Sequence, residues 1–155
     1  MRMSSRLLQR GMKWWPPFLG AGIRVRSLSE DFRDAVVELK FGRLNRNYVG
    51  THFGGSLYAM TDPFFAIMLM HNLGDRYLVW DKSGSIEYVA PGRGTVRARF
   101  VLTEERIAEI RAQAAGGEKV LPEFQLEVRH KSDDTLVALV RKTLYVRLKP
   151  RHRPA

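Results

Sequence analysis

Residues 56–71 form the stretch that most constrains the fold, because they are apolar on nearly every side of a helix. A helix without a polar face must be covered all round, so this stretch is either a membrane span or a central core helix. Asp62 and Pro63 decide between the two. A span needs about 20 predominantly apolar residues and strongly penalises a central aspartate, and the uninterrupted run after Pro63 is much shorter. The sequence therefore predicts a buried helix that the remaining chain must cover.

Pro63 predicts an irregularity in this helix, beside its one carboxylate. Proline lacks an amide hydrogen, crowds the carbonyl of Ala59 four residues back and biases Asp62 away from helical geometry. We expect a kink that turns the Asp62 carboxylate out of the line of the helix. A simple packing bend is the alternative, because proline kinks are common in helices.

A polar loop with several glycines leads into the helix. Gly54 and Gly55 permit a tight turn and a close approach of the backbone. The amides that follow are unpaired donors at the start of a helix, where a developing negative charge is stabilised. Asp62 lies about two helical turns after Gly55. Two donors at the mouth of a helix and a carboxylate on the same helix predict a site for acyl transfer.

Most of the remaining chain is predicted to form strands. The predicted strands are Ile23–Leu28, 35–41, 77–80 with 83–89 as one long or broken strand, 95–102, 124–128 and Leu136–Leu148, and a second helix is predicted over 104–115. This order predicts an α+β fold in which a long antiparallel sheet wraps around one central apolar helix, with a short helix at the N-terminus. The exposed edges of such strands predict self-association by sheet extension, to a homodimer or a homotetramer.

The composition excludes several kinds of site and partner. The chain has 155 residues, enough for one compact domain, and its lack of cysteine excludes disulfides and thiolate chemistry. Its four histidines are scattered without metal-ligand spacing, so no metal site is expected. A net charge of +10 indicates an anionic partner or a solvated basic surface. Because no nucleic-acid-binding motif accompanies that charge, we expect no nucleic-acid partner. The lack of cysteine is compatible with a reducing cytosol, and we expect a cytoplasmic protein.

The N-terminal segment, residues 1–17, is basic and amphipathic. Residues 1–29 contain no acid, and basic residues interleave with large apolar ones: Arg2, Arg6, Arg10 and Lys13 with Leu7, Leu8, Trp14 and Trp15. The pattern is typical of a transit peptide or of a helix lying on a membrane surface. We expect instead a short helix that packs its leucine and tryptophan side on the domain and is stopped by Pro16-Pro17. No transmembrane segment is expected, and the basic tail, residues 149–155, is expected to fray.

Several motifs together resemble one family. They are Asn47, Gly50, Gly54-Gly55, Asp62, the strand over residues 79–83 and the segment 88–92. With them the chain resembles a hotdog-fold acyl-CoA thioesterase, most similar to the phenylacetate-pathway type and its bacterial relatives, over roughly residues 20–148. The resemblance implies a single hotdog domain over residues 1–155.

The resemblance also implies roles at the active site. Asp62 would act as nucleophile or general base across a dimer interface, the Gly55 amide would polarise the thioester carbonyl, and Asn47 would orient the carbonyl or water. Coenzyme A would be part of the substrate, and no separate cofactor is implied. The chain departs from the family pattern of His-Gly-Gly because Phe53 stands in the position of the histidine and His52 lies one residue earlier.

Further candidates for substrate binding surround these residues. His52 is interpreted equally well as a loop hydrogen bonder or as a substrate contact. Asp81 and Ser83 lie near the position where relatives place a polar helper, although a strand-edge pair of Asp81 with Lys82 is the alternative. Tyr58 on the helix is a further candidate for substrate contact, and packing in the core is the alternative. Gly54 would contribute its amide beside that of Gly55.

Basic residues supply candidates for the phosphates of coenzyme A, which need point charges or bidentate forks. These are Arg93, Arg97 and Lys142, and for each of them a solvated surface position is the alternative.

Three other functions fit the same sequence. A non-catalytic acyl-CoA or fatty-acyl binding protein would keep an apolar channel and need no Asp62. A hydratase or dehydratase on the same fold would use a His–Asp pair on an enoyl thioester. A basic protein associated with membrane or nucleic acid would act through residues 1–17.

Overall fold

The computed structural model describes residues 3–154, and Met1, Arg2 and Ala155 lie outside this description. The helices are α1 (Ser5–Met12), α2 (Pro16–Ala21), α3 (Gly54–Ala59), α4 (Phe64–Leu73) and α5 (Glu104–Ala114). The strands are β1 (Ile23–Leu28), β2 (Asp34–Leu39), β3 (Tyr77–Tyr88), β4 (Val96–Val101), β5 (Glu123–His130) and β6 (Leu136–Leu148). A single 3₁₀ turn, Pro150–His152, follows β6.

The strands form one six-stranded antiparallel sheet in the order β1-β2-β4-β5-β6-β3. β1 and β3 therefore lie at the two edges. The α+β fold expected from the sequence, a sheet against a central helix, is confirmed. The longest ladder joins β3 to β6.

The core lies between α4 and one face of the sheet. Phe64 and Phe65 of α4 contact Phe100 of β4 at centroid distances of 4.9 and 5.2 Å, and Phe65 also stacks on Phe124 at 4.4 Å. Phe100 is fully buried because β4 alternates apolar and basic residues, so that its apolar face meets the helix. Each such aromatic side chain contributes about 1.5–3 kcal/mol by leaving water. α4 is thus the buried helix that the sequence predicts.

The central helix is divided in two, a larger change than the predicted kink. α3 ends at Ala59 and α4 begins at Phe64, with a Met60–Pro63 break whose Asp62–Pro63 peptide is cis. Proline provides no amide for a helical hydrogen bond, and the Asp62 amide donates to the Ala59 carbonyl three residues back at 3.2 Å. The prediction of one continuous helix over 56–71 is therefore wrong, whereas its irregularity beside Asp62 is confirmed.

The N-terminal segment forms two short helices in place of one. α1 ends at Met12, and Pro16-Pro17 begin α2 and do not simply stop a helix. Proline is tolerated in the first turn, where its missing amide would have no partner in any case. Gln9 donates to the carbonyls of Val25 (3.2 Å) and Arg26 (2.9 Å), so that α1 covers part of the free edge of β1.

The C-terminal tail contacts the domain after β6. The Arg153 guanidinium donates to the Leu148 carbonyl at 3.0 Å. Gly117 has φ +86°, which favours glycine, and a Cβ there would lie 3.2 Å from the Arg153 side chain, a tight contact.

Asn45 holds the loop between β2 and α3 in place. It is 3% exposed and makes three hydrogen bonds with the backbone. Its amide nitrogen donates to the carbonyls of Ala21 (2.7 Å) and Lys40 (2.5 Å), and its oxygen accepts from the Gly42 amide at 2.8 Å. One side chain thereby ties α2, the end of β2 and the loop that leads to α3.

Replacing this side chain tests its importance. We expect Asn45→Ala to lower the free energy of unfolding by about 2–4 kcal/mol, because three buried backbone groups lose their partner. Urea unfolding measures the loss. Arg46→Ala, at the exposed neighbouring residue, is the control and should change stability by less than about 0.5 kcal/mol. Equal stability of the two variants would contradict the role given to Asn45.

Candidate active site

A buried lysine lies between two aspartates at the break in the central helix. Lys142 Nζ donates to Asp62 Oδ1 at 3.1 Å, and it forms an ion pair with Asp81 Oδ1 at 3.0 Å that lacks hydrogen-bond geometry. The Lys142 side chain is 3% exposed, the Asp81 side chain 26% and the Asp62 side chain 47%. We call these three residues the Asp–Lys–Asp cluster. Its cation is sealed in the protein, and Asp62 is its most exposed member.

Lys142 reaches this position because of its place in β6. It shares the inner face of the strand with Val140, Leu144 and Val146, all fully buried. It therefore points towards the helix and away from solvent. The alternative that Lys142 is a solvated surface position is wrong, because its side chain is 3% exposed. A contact to a coenzyme A phosphate stays a prediction.

A β-bulge in β3 aims Asp81 into the same space. The register of β3 with β6 shifts between Asp81 and Ser83, so that Asp81 pairs with Leu144 and Gly84 with Lys142. Asp81 and Gly84 thus share the inner face of the sheet, although their spacing in a regular strand would put them on opposite faces. A Cβ on Gly84 would collide with the hydroxyl of Tyr58, whose ring centroid lies 5.3 Å from Lys142 Nζ. Gly84 therefore makes room for Tyr58 beside the cluster.

The electrostatics of the cluster favour a charged lysine. Burial lowers the pKa of Lys142, but the carboxylates of Asp81 and Asp62 outweigh it and raise this pKa above its ordinary value. Burial raises the pKa of Asp81, and the neighbouring Asp62 carboxylate adds to this rise, whereas Lys142 opposes it. Asp81 therefore takes up a proton more easily than an ordinary aspartate, because its pKa is raised.

A cleft opens onto the cluster from the surface. We call it the acid cleft, and it is lined by Gly55, Tyr58, Ala59, Asp62, Asp81, Lys82, Ser83, Gly84 and Lys142. Five predicted site residues therefore meet here: Asp62, Gly55, Tyr58, Asp81 and Ser83. Gly55 lies in the first turn of α3, where its amide makes no hydrogen bond within residues 3–154.

Three other predicted site residues, Asn47, His52 and Gly54, line a second cleft. This loop cleft is lined by Asn47, Val49, Thr51, His52, Gly54, Leu57 and residues 88–92. Gly54 is required for its shape, because a Cβ there would come within 2.6 Å of the Tyr88 hydroxyl. Within one copy of the chain the predicted site is thus divided, with Asp62 in one cleft and Asn47 and His52 in the other.

Asn47 holds its loop in a closed turn. Its amide nitrogen donates to Thr51 Oγ1 at 2.8 Å and to the His52 carbonyl at 3.1 Å, and its oxygen accepts from the Thr51 amide at 3.0 Å. These bonds explain why asparagine stands here without any reference to substrate. Its catalytic role stays a prediction.

His52 is buried, with 2% of its surface exposed. Its Nε2 lies 2.7 Å from the Gly94 carbonyl, its ring packs edge-on against Phe41 at 5.0 Å, and its Nδ1 has no partner among the described residues. Burial lowers the pKa of His52, partly offset by the bond to Gly94. The ring is therefore neutral at pH 7, with Nε2 as donor and Nδ1 as an acceptor. Its role in substrate binding stays a prediction.

Ser83 lines the acid cleft, and the two candidate arginines lie outside it. Ser83 pairs with Thr143 in the sheet, one step beyond the bulge. Arg93 is exposed in the loop after the loop cleft, and Arg97 on β4 lies 3.9 Å from Asp134. Neither arginine lines the acid cleft.

The sequence contains a signal that Lys142 is buried. Lys142 interrupts an alternating apolar series at Val140, Leu144 and Val146, and a lysine in such a series must either reach a carboxylate or leave the sheet. The carboxylate it reaches could not be identified from the sequence, because Asp62 and Asp81 are each more than 60 residues away.

A family model for a domain of unknown function, DUF4442, matches residues 4–146. The chain belongs to the DUF4442 family. None of the curated proteins matches the chain in sequence. For this DUF4442 protein, solved structures therefore provide the informative comparisons.

Three solved structures are similar to the whole chain. A probable thioesterase of unknown function from Pseudomonas aeruginosa has a TM-score of 0.84 at 18% identity, over 96% of this chain and 99% of its own. A thioesterase from Haemophilus influenzae has a TM-score of 0.69 at 15% identity, over 99% and 97%. Zebrafish thioesterase superfamily member 2 has a TM-score of 0.65 at 19% identity, over 93% and 99%.

These likenesses confirm the hotdog fold that the motifs predicted. At such low identities they bear on the fold and leave the substrate open. Within residues 3–154, no helix has the length and apolar character needed to cross a bilayer.

The buried neutral His52 predicts an acid-sensitive fold. Because its pKa is lowered on folding, its contribution to stability is complete above the ordinary histidine value of about 6.5 and is lost as the pH falls below it. We expect the free energy of unfolding to decrease between pH 7.5 and pH 5.5 by less in His52→Gln than in the wild type. Urea unfolding at both values measures this. An identical decrease in the wild type and in His52→Gln would contradict the prediction.

Proposed function

We propose that this DUF4442 protein hydrolyses an acyl-CoA-type thioester, with Asp62 as nucleophile or general base. The observation that carries the proposal is the half-exposed Asp62 carboxylate, held at one oxygen by a buried Lys142 and facing the acid cleft. A base must be within hydrogen-bond reach of the water it activates, and it must be held in position. The hotdog fold of the thioesterase-superfamily neighbours supports the same reaction class.

In the proposed reaction, Asp62 takes a proton from water as the water oxygen bonds to the thioester carbonyl carbon. The carbonyl becomes an oxyanion, which the Gly55 and Gly54 amides would stabilise. Its collapse breaks the carbon–sulfur bond, and the thiolate leaves and takes up the proton. Direct attack by Asp62 would instead form an anhydride that water then cleaves, with the same products. Lys142 would act as a positioning residue that fixes Asp62, and Asp81 would balance its charge.

We further propose that two copies of the chain complete each site. The acid cleft lies along residues 81–84 of β3 and the loop cleft along residues 88–92. β3 is an edge strand that pairs with β6 alone among the described strands. Antiparallel pairing of two β3 edges, centred on Gly84 and Ser85, would bring Asp81 of one strand beside Tyr88 of the other. Asn47 of one copy would then face Asp62 of its partner, as the family resemblance implies.

Thiol release from a panel of acyl-CoA esters tests the hydrolase. We expect Asp62→Asn to reduce the rate by about 10²–10⁴-fold, because the base is lost. Lys142→Met should reduce the rate by about 10²-fold, because Asp62 would no longer be held in position to activate water. Lys119→Met, at an exposed residue outside both clefts, is the control and should retain wild-type activity.

The same measurements separate the rival functions. Binding of acyl-CoA by the wild type, without thiol release and unchanged in Asp62→Asn, would identify a non-catalytic binding protein. Addition of water to an enoyl-CoA without thiol release would identify a hydratase. Either result would contradict the proposed hydrolysis.

Mixing two inactive variants tests the shared site. Asp62→Asn and Asn47→Ala should each be inactive as pure proteins. If each site combines residues of both copies, dissociating and reassociating an equimolar mixture should restore about one quarter of the wild-type activity, because half of the pairs are mixed and each mixed pair has one intact site. Native mass spectrometry verifies that mixed pairs form. Mixed pairs without activity would contradict the shared site.

A further inference from the structure

The N-terminal segment exposes large apolar side chains that the domain does not cover. Met3 is 48% exposed, Leu7 56%, Trp14 71%, Trp15 41% and Leu19 56%. The sequence predicted that the leucine and tryptophan side of this segment packs on the domain, but the residues that α1 buries are Ser5 and Met12. Much of the apolar side therefore faces outwards.

This apolar surface is continuous and well anchored. A groove beside α1 is lined entirely by uncharged residues: Met3, Leu8, Gly11, Met12, Trp14, Trp15, Pro63 and Ile67. We call the groove with the exposed Leu7 the N-terminal surface. On the other side of α1, Gln9 is bonded to β1, so the helix is already folded and oriented on the domain. No ordering of an unstructured segment is needed before the surface can bind.

Basic side chains border the N-terminal surface. Arg6 and Arg10 lie one turn apart on α1 and flank Leu7, and Lys13 Nζ lies 5.6 Å from the centre of the Trp14 ring. Glu30 pairs with Arg6 at 2.7 Å. No ion pair links Arg10 or Lys13 to a carboxylate within residues 3–154. The border therefore carries net positive charge.

This combination identifies one kind of partner. A second copy would bring the same positive border and would be repelled. A nucleic acid would use the cations but gain little from the leucine and methionine of the groove. The headgroup region of an anionic bilayer suits both the basic border and the apolar groove. Tryptophan favours that interface, and lysine and arginine bind its anionic lipids. Leucine and methionine enter the apolar layer beneath. We propose that the N-terminal surface docks the protein onto anionic lipid membranes.

Docking would bring the break in the central helix close to the bilayer. Pro63 lines the groove, whereas its neighbour Asp62 lines the acid cleft. Membrane binding through the N-terminal surface does not depend on the proposed hydrolysis.

Co-sedimentation of the full-length protein with vesicles tests the proposal. We expect binding to phosphatidylcholine vesicles that contain phosphatidylglycerol, little binding to phosphatidylcholine alone, and a decrease in binding as salt screens the charges. Arg10→Glu with Lys13→Glu should weaken binding by at least about 30-fold. Trp14→Ala should weaken it by about tenfold, because an interfacial anchor is lost.

Lys119→Glu with Arg151→Glu is the matched control. It changes the net charge equally, at exposed residues outside the N-terminal surface, and should retain most of the binding. An equal loss in the control would show diffuse attraction and overturn the proposal, as would equal binding to neutral vesicles or unimpaired binding by the Trp14→Ala variant. Circular dichroism verifies that each variant is folded.

Tryptophan fluorescence gives a second, independent measurement. In a Trp80→Phe background the emission comes from Trp14 and Trp15. Anionic vesicles should shift it to shorter wavelength as the rings leave water. No shift at vesicle concentrations that sediment the protein would overturn the proposed surface.

Discussion

A buried positive charge must be neutralised by partners brought to it, and Lys142 imposes this requirement on three separate elements. An unpaired ammonium in the interior would cost several kcal/mol, so β6, the bulged part of β3 and the break in the central helix have to meet at one point. Asp81 supplies the inner carboxylate and Asp62 the outer one. The contact fixes one oxygen of the Asp62 carboxylate, whose side chain is 47% exposed and lines the acid cleft.

The cluster also explains two irregularities that would otherwise only weaken the fold. A regular β3 would alternate Asp81 away from Gly84, and the bulge at Lys82 keeps them on one face. An unbroken central helix would keep its backbone hydrogen bonds, and Pro63 ends them beside Asp62. Both departures from regular geometry converge on the same ammonium group. Such convergence is typical of functional sites, where local regularity is given up for the position of a side chain.

The sequence predicts the fold well and the site in part. The alternation in β4 and the apolar helix before Gly74 set which faces are buried, and these are local patterns. The position of Asp62 at a helix irregularity also follows locally, from Pro63. The ion pairs of Lys142 do not, because they join residues far apart in the chain and depend on a bulge that shifts the register by one residue. The exposed face of α1 was also missed, because amphipathicity shows that a helix has an apolar side and leaves open whether the domain covers all of it.

The two edges of the sheet are not equivalent. Gln9 of α1 donates to two carbonyls of the edge strand β1, whereas the twelve-residue edge strand β3 pairs with β6 alone among the described strands. A sheet with two open edges can add copies without limit and grow into a fibre. A sheet with one covered edge can pair with one further copy only, because neither copy then has an open edge for a third. If copies join through β3 as proposed above, the small contact between a glutamine and an edge strand would limit the assembly to two copies.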